Sequence, residues 1–461
     1  MNTLRLLRHA ALCSLVLGGA YAASAAPASP KTSKHADSQQ DLGPLFDAAR
    51  TLPLVKVKAM LTGKGVNLKD KDGNTLLMAA SSTGKTDTAA YLVAQGANVN
   101  DAAADGDTAL LEAAHSGNKD TIALLVEHGA GINVADYAGV TPLMEAVHSG
   151  NVPSINFLLA DKADANAADK DGFTPLMIAA YNASVPAIST LIDHGAQVNT
   201  PDKKGHTPLM EAANVGSPPA LQVLLDHGAS IDAADQDGFT SLMVAASNAN
   251  KDAVSVLIGK GADVNKQTTS GFTPLMQAAA AGNIQNMQTL IAHSADVTIR
   301  TEKGGTALSV AAYSNHLDSV RFLLQNGASA LVVDDEGHTP LMGACFSANL
   351  EMVKLFCSQG VDVNMTTKDG FTALMQAAFS GSPDILAYLL DQGADLEAKT
   401  LTGATPLMQA AYSGNTDGAK ELLVYGADVL AKDSSGDTAL SFALKHKNDA
   451  VAALLKDAGA E

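Results

Sequence analysis

Apolar and polar positions return in the same order every 33 residues along most of this chain. Each period has a polar residue and a glycine, then a threonine, then a short apolar block closed by paired small residues. The fullest copy reads D-G-F-T-P-L-M-I-A-A at Asp171–Ala180, and Ser270–Ala279 is nearly the same. A glycine follows near mid-period, as at Gly117, Gly150, Gly282, Gly381 and Gly414. A second apolar run comes next, such as Leu323-Leu324 or Leu389-Leu390. A second glycine and a G-A-D-V-N-like segment close the period, as at Gly96–Asn100, Gly261–Asn265 and Gly426–Val429. The threonine keeps count without a slip: Thr75, Thr108, Thr141, Thr174, Thr207, Thr240, Thr273, Thr306, Thr339, Thr372, Thr405 and Thr438. A glycine stands two residues before each, from Gly73 to Gly436.

The pattern predicts two helices per period. The threonine hydroxyl caps the first. Proline follows at the first helical position in six copies (Pro142, Pro175, Pro208, Pro274, Pro340 and Pro406), where its missing N–H costs nothing. Small pairs such as Ala278-Ala279 let neighbouring helices approach closely. The mid-period glycine ends helix one, the leucine pair marks the buried face of helix two, and the second glycine ends that helix. The D-G before the next threonine turns the chain. One such unit cannot bury its apolar face alone, so units must stack.

Period and motif together resemble the ankyrin repeat, in full over Asp70–Glu461 and in degraded form over Asp41–Lys69. The expected fold is therefore an all-α repeat solenoid, an ankyrin stack of about twelve helix-turn-helix/β-turn units with an N-terminal half-repeat cap. Residues 41–69 are expected to form that capping half-repeat, 70–432 eleven repeats, and 433–461 a capping repeat. Leu45-Phe46 has no close repeat match upstream. Lys445, His446 and Lys447 give the last repeat the polar outer face that a terminal unit needs.

The chain's first residues carry a different signal. Arg5 and Arg8 precede an apolar run from Ala10 to Ala22, and Ala23-Ser24-Ala25 offers a cleavage site. Residues 1–25 thus read as a signal peptide, with the mature chain beginning at Ala26. The run is short for a membrane span, and no membrane insertion is expected. Cys13 lacks the small residue before it that marks a bacterial lipoprotein. Signals of this kind look bacterial, so the periplasm is the expected compartment, with secretion as the alternative. Residues 26–40, rich in Pro, Ser, Lys and Gln, read as a flexible linker.

Cleavage would remove Arg5 and Arg8 and take the formal charge from −18 to −20. That balance argues against nucleic acid and anionic lipid, and favours a partner with a basic surface. Cys345 and Cys357 sit on different helices of the repeat begun by Thr339 and are expected to be two buried free thiols.

Aligning the periods shows where the aromatic residues gather. Nine of the 18 Phe and Tyr residues beyond the signal fall in two columns. The column before the threonine holds Phe173, Phe239, Phe272 and Phe371, with His206, His338 and Val140 in the same slot. The column seven residues after it holds Tyr181, Tyr313, Phe346, Phe379 and Tyr412, with His115 and His148. The ankyrin resemblance implies that the first column lies on β-turn fingers and the second near the end of helix one. Both would face the concave groove that the family uses to bind proteins. Aromatic side chains dominate binding hot spots. The expected main contact is therefore the run Tyr313, Phe346, Phe379 and Tyr412. His115, His148 and Tyr181 would form a second patch, and Asn214, Ser247 and Ala280 leave the middle small and polar.

Other chemistry is weaker. The family's usual T-P-L-H histidine is replaced by methionine in nine repeats: Met78, Met144, Met177, Met210, Met243, Met276, Met342, Met375 and Met408. A thioether ladder suggests copper. Equivalent atoms one repeat apart are ~10 Å from each other, too far to share an ion. Core packing is the expected role. His128, His194, His227 and His293 fall at the end of helix two, where a protonated ring suits the helix terminus. No H-E-x-x-H, G-x-S-x-G, phosphate loop or CxxC pair occurs. No cofactor or metal is expected. The sequence reads as a monomeric, non-enzymatic scaffold for an unknown partner protein. A protective factor in oxidative or envelope stress is the alternative, and an enzyme a distant third.

Overall fold

The computed structural model describes residues 42–248 and 250–460. The predicted signal peptide, the linker and Asp41 lie outside the described residues. Among the described residues there are 26 helices and no strand. They form two compact units, one of residues 42–241 with 255–262, the other of 242–254 with 263–460.

Within each unit the repeat is built as the periodicity requires. Thr174 takes extended backbone and its Oγ1 accepts the Met177 N–H at 3.3 Å, which starts the helix Pro175–Tyr181. The same cap, at 3.2 to 3.4 Å, recurs at Thr75, Thr108, Thr141, Thr207, Thr273, Thr306, Thr339, Thr372, Thr405 and Thr438. At Thr75, Thr141 and Thr405 the methionine sulfur completes a reciprocal cap. The Thr75, Thr141 and Thr405 N–H groups point at Sδ of Met78, Met144 and Met408, at 3.2, 3.5 and 3.4 Å. All nine column methionines are at most 2% exposed. Their packing role is the expected one.

Helix one ends in the left-handed conformation: Gly150 has φ 71° and Gly216 has φ 65°. Ala183, Asn315, Ala348 and Lys447 do this without glycine, with φ between 53° and 62°. Helix two then packs its leucines inward, for instance Leu389 of Pro383–Asp391 and Leu323 of Leu317–Gln325, both fully buried. The histidines that close helix two bond back to its last turn. Nδ1–H of His128, His194, His227 and His293 donates to the carbonyl four residues earlier, at 2.7 to 2.8 Å.

Between repeats the chain makes a tight finger. Asp169 accepts the N–H groups of Asp171 and Phe173 at 2.9 and 2.8 Å, and its own N–H donates to the Phe173 carbonyl. The next finger docks by backbone alone, with Lys203 N–H on the Asp171 carbonyl at 2.9 Å. A Cβ on Gly172 would lie 2.8 Å from the Lys203 nitrogen, so the glycine is needed for the approach as well as for its φ of 93°. An asparagine in the closing loop adds a second link. Asn364 donates to the Gly393 carbonyl at 2.9 Å and accepts the Asp395 N–H at 2.8 Å.

The first unit differs from a half-repeat. Residues 42–69 contain both helices, Gly43–Thr51 and Leu54–Leu61, and bury Leu45, Phe46, Val57 and Leu61. Its start has no side-chain cap at Leu42, which is why the motif faded in the sequence while the helix pair survived.

Candidate binding groove

Within each unit the end of helix one meets the next repeat in the same register. The residue seven after the threonine lies over the residue four after the next threonine, thirty positions further on. His115 Nδ1 is 2.8 Å from Glu145 Oε2. The Tyr313 ring would touch a Cβ on Gly343 at 3.0 Å. The Tyr412 and Phe442 rings meet edge-on at 6.4 Å. The fingers face the same surface, as the Lys445–Asp437 ion pair shows.

In the C-terminal unit this register builds an aromatic strip. Tyr313 and Phe346 lie at 6.2 Å, tilted, and Phe379 and Tyr412 stack at 6.3 Å. All four rings are half-buried. The strip extends into the last repeat, where His446 packs on Tyr412 at 4.3 Å. His446 is exposed, and its ring also lies against Tyr412 because the register carries helix one of the last repeat onto it. Beneath the strip, column four holds Gln376 and Gln409, and Gln409 is 4% exposed.

The finger column corrects the sequence reading. Phe239 and Phe272 are only 9% and 7% exposed and present little surface to a partner. Phe173 and Phe371 in the same column are half-buried and keep an accessible edge. His206 is buried too, with Nδ1 3.2 Å from Asp202 and Nε2 3.7 Å from Asp235 of the next finger.

In the N-terminal unit the groove is charged. His115 and His148 are exposed, and their rings stack at 6.3 Å; Tyr181 is half-buried. Glu112, Glu145 and Glu211 occupy column four in three of its repeats, and none stands out from the sequence alone. Their signal was available: an acid or amide replaces the apolar residue that this column carries in Ile178, Val244 and Val310. Burial pushes the Glu112 carboxyl up to about 7, helped by Asp107. The hydrogen bond to Glu145 raises His115 above its ordinary value, against a smaller effect of burial.

Cys345 is buried, and burial raises its thiol far above the usual range; Cys357 is half-exposed, not buried as expected, because its place on helix two lies off the packed stripe. Among the described residues no group of three or more His, Cys, Asp or Glu side chains is placed to hold a metal ion. No helix among them is long and apolar enough to cross a membrane.

The family model described as ankyrin repeats (three copies) matches 45–136, 135–202, 198–268, 242–334, 308–400 and 396–461. The chain belongs to the ankyrin repeat family. No curated protein matches it in sequence. Ankyrin arrays are protein-interaction scaffolds and are in general not enzymes.

Proposed function

We propose that this protein is an exported, monomeric ankyrin scaffold without catalytic activity. It would hold one partner protein against the finger and helix-one face. The observation that carries the reading is the run Tyr313, Phe346, Phe379 and Tyr412, four half-buried rings in successive repeats. Rings held by their neighbours lose little freedom on binding, which is how a preorganised surface gains affinity. Phe371 would extend the contact, and His115, His148, Tyr181 and Phe173 would form a second, separate patch on the N-terminal unit. Export to the periplasm is supported by Arg5, Arg8, the apolar run and Ala23-Ser24-Ala25. The acidic balance supports a partner with a basic surface. Protection by methionine oxidation has no support from the fold, since the column thioethers are buried.

A crosslinking pull-down from native periplasm tests this. The wild type should capture a partner that a Tyr313/Phe346/Phe379/Tyr412→Ala variant of unchanged circular dichroism loses. Equal capture by both would refute the aromatic contact.

A further inference from the structure

The charged row of the N-terminal unit couples two repeats through groups that can gain or lose protons. His115, at the end of helix Ala109–His115, reaches Glu145 of the next helix one, Pro142–His148, at 2.8 Å. Its ring stacks on His148 at 6.3 Å with 20° between planes. Glu112 lies one turn before His115 on the same helix. The charged groups acting on Glu112 are Asp107 on the finger, His115, Arg50 of the first helix pair, and Glu145. Those acting on His115 are Glu145, Glu112 and Asp107. The groups acting on His115 are thus all carboxylates, while around Glu112 two carboxylates stand against His115 and Arg50, and Arg50 is the one permanent positive charge named among them.

We propose that this row is a proton-operated switch on the docking face: proton uptake lets the His115 imidazolium clamp Glu145 of the next repeat and leaves Glu112 uncharged, while proton loss makes the strip anionic and loosens the two repeats. The use of the switch by a partner rests on the docking function proposed above; the switch itself does not.

The chemistry of the two groups runs in one direction. In base, Asp107, Glu112 and Glu145 are all anionic, Glu112 is ionised in a half-buried place, and a neutral His115 can offer Glu145 a hydrogen bond but no charge. In acid, the half-buried Glu112 carboxyl is neutral and the hydrogen bond becomes charge-assisted. Glu112 is raised to about 7, so its change falls near neutrality, and His115 is raised above its ordinary value by the Glu145 hydrogen bond. The repeat frame itself accepts the variants needed to test this. Glutamine occupies the Glu112 column at Gln277, Gln376 and Gln409, and asparagine occupies the His115 column at Asn214.

Amide hydrogen exchange of the full chain, read by mass spectrometry at pH 6.0 and 8.5 and corrected for intrinsic rates, tests the switch without any partner. Peptides covering 109–115 and 142–148 should be roughly tenfold better protected at pH 6.0, as expected for about one pKa unit of linkage. Those covering 373–380 should not change. Glu112→Gln and His115→Asn should each shrink the difference. An equal pH response in both variants, or none in the wild type, would overturn the proposal and leave the docking function standing.

Discussion

Positive φ is where single residues strain this array. Ala183 and Ala348 occupy the left-handed slot that glycine fills at Gly150 and Gly216. A Cβ there costs about 1–2 kcal/mol, partly offset by the extra entropy of an unfolded glycine. Ala183→Gly and Ala348→Gly should each raise stability by about 0.5–1 kcal/mol, read as a higher denaturant midpoint with unchanged slope. Gly150→Ala should lower it by about 1 kcal/mol; a Cβ there meets nothing within 4 Å, so the effect isolates the backbone. Glu112 gives the second residue-scale prediction. Its folded value of about 7 lies above the ordinary carboxyl value of 4.5. The folded state therefore holds that proton more tightly. The contribution to stability is fully present below 4.5 and is lost as pH rises through 7. The raised His115 acts with the same sign. Thermal unfolding of the wild type should thus fall between pH 6.0 and 8.5 by more than that of Glu112→Gln. The sequence showed the threonines, glycines and methionines because each has one local task. Glu112 escaped notice because its character depends on burial and on charges from three other elements.

At the scale of the element, the repeat is held by two small polar devices. The threonine cap was legible because its partner is three residues away on the same helix. Thr174→Ala should cost about 1 kcal/mol. The closing-loop asparagine was quoted only as part of a motif, since its partners lie 29 and 31 residues onward and only the stack brings them near. Leucine replaces it at Leu331 and Leu430, exposed at 63% and 55%. Leu331→Asn should restore the inter-repeat link and stabilise by about 0.5–1 kcal/mol, measured by chemical denaturation. The finger phenylalanines mark the limit of column reading. Phe173 and Phe239 share a column and a motif, yet one keeps an accessible edge and the other does not. Exposure there depends on how neighbouring fingers pack, which a repeat alignment does not contain.

At the scale of the whole molecule, the chain combines one repeated frame with two kinds of surface. The N-terminal unit carries the acid and imidazole row, and the C-terminal unit carries the aromatic strip over Gln376 and Gln409. The repeat architecture was fully legible, because a stack needs only nearest-neighbour rules. The division of the groove was half legible: the aromatic column stood out, and the column beneath it did not. The central claim is that the aromatic strip holds the partner. It is tested most directly by placing a photo-crosslinking amino acid at position 379, and separately at 424, in cells that make the protein. Val424 ends a helix two and is 71% exposed, so reach is not limiting there. The account predicts a discrete adduct from position 379 and none from 424. The same adduct from both, or from 424 alone, would contradict it.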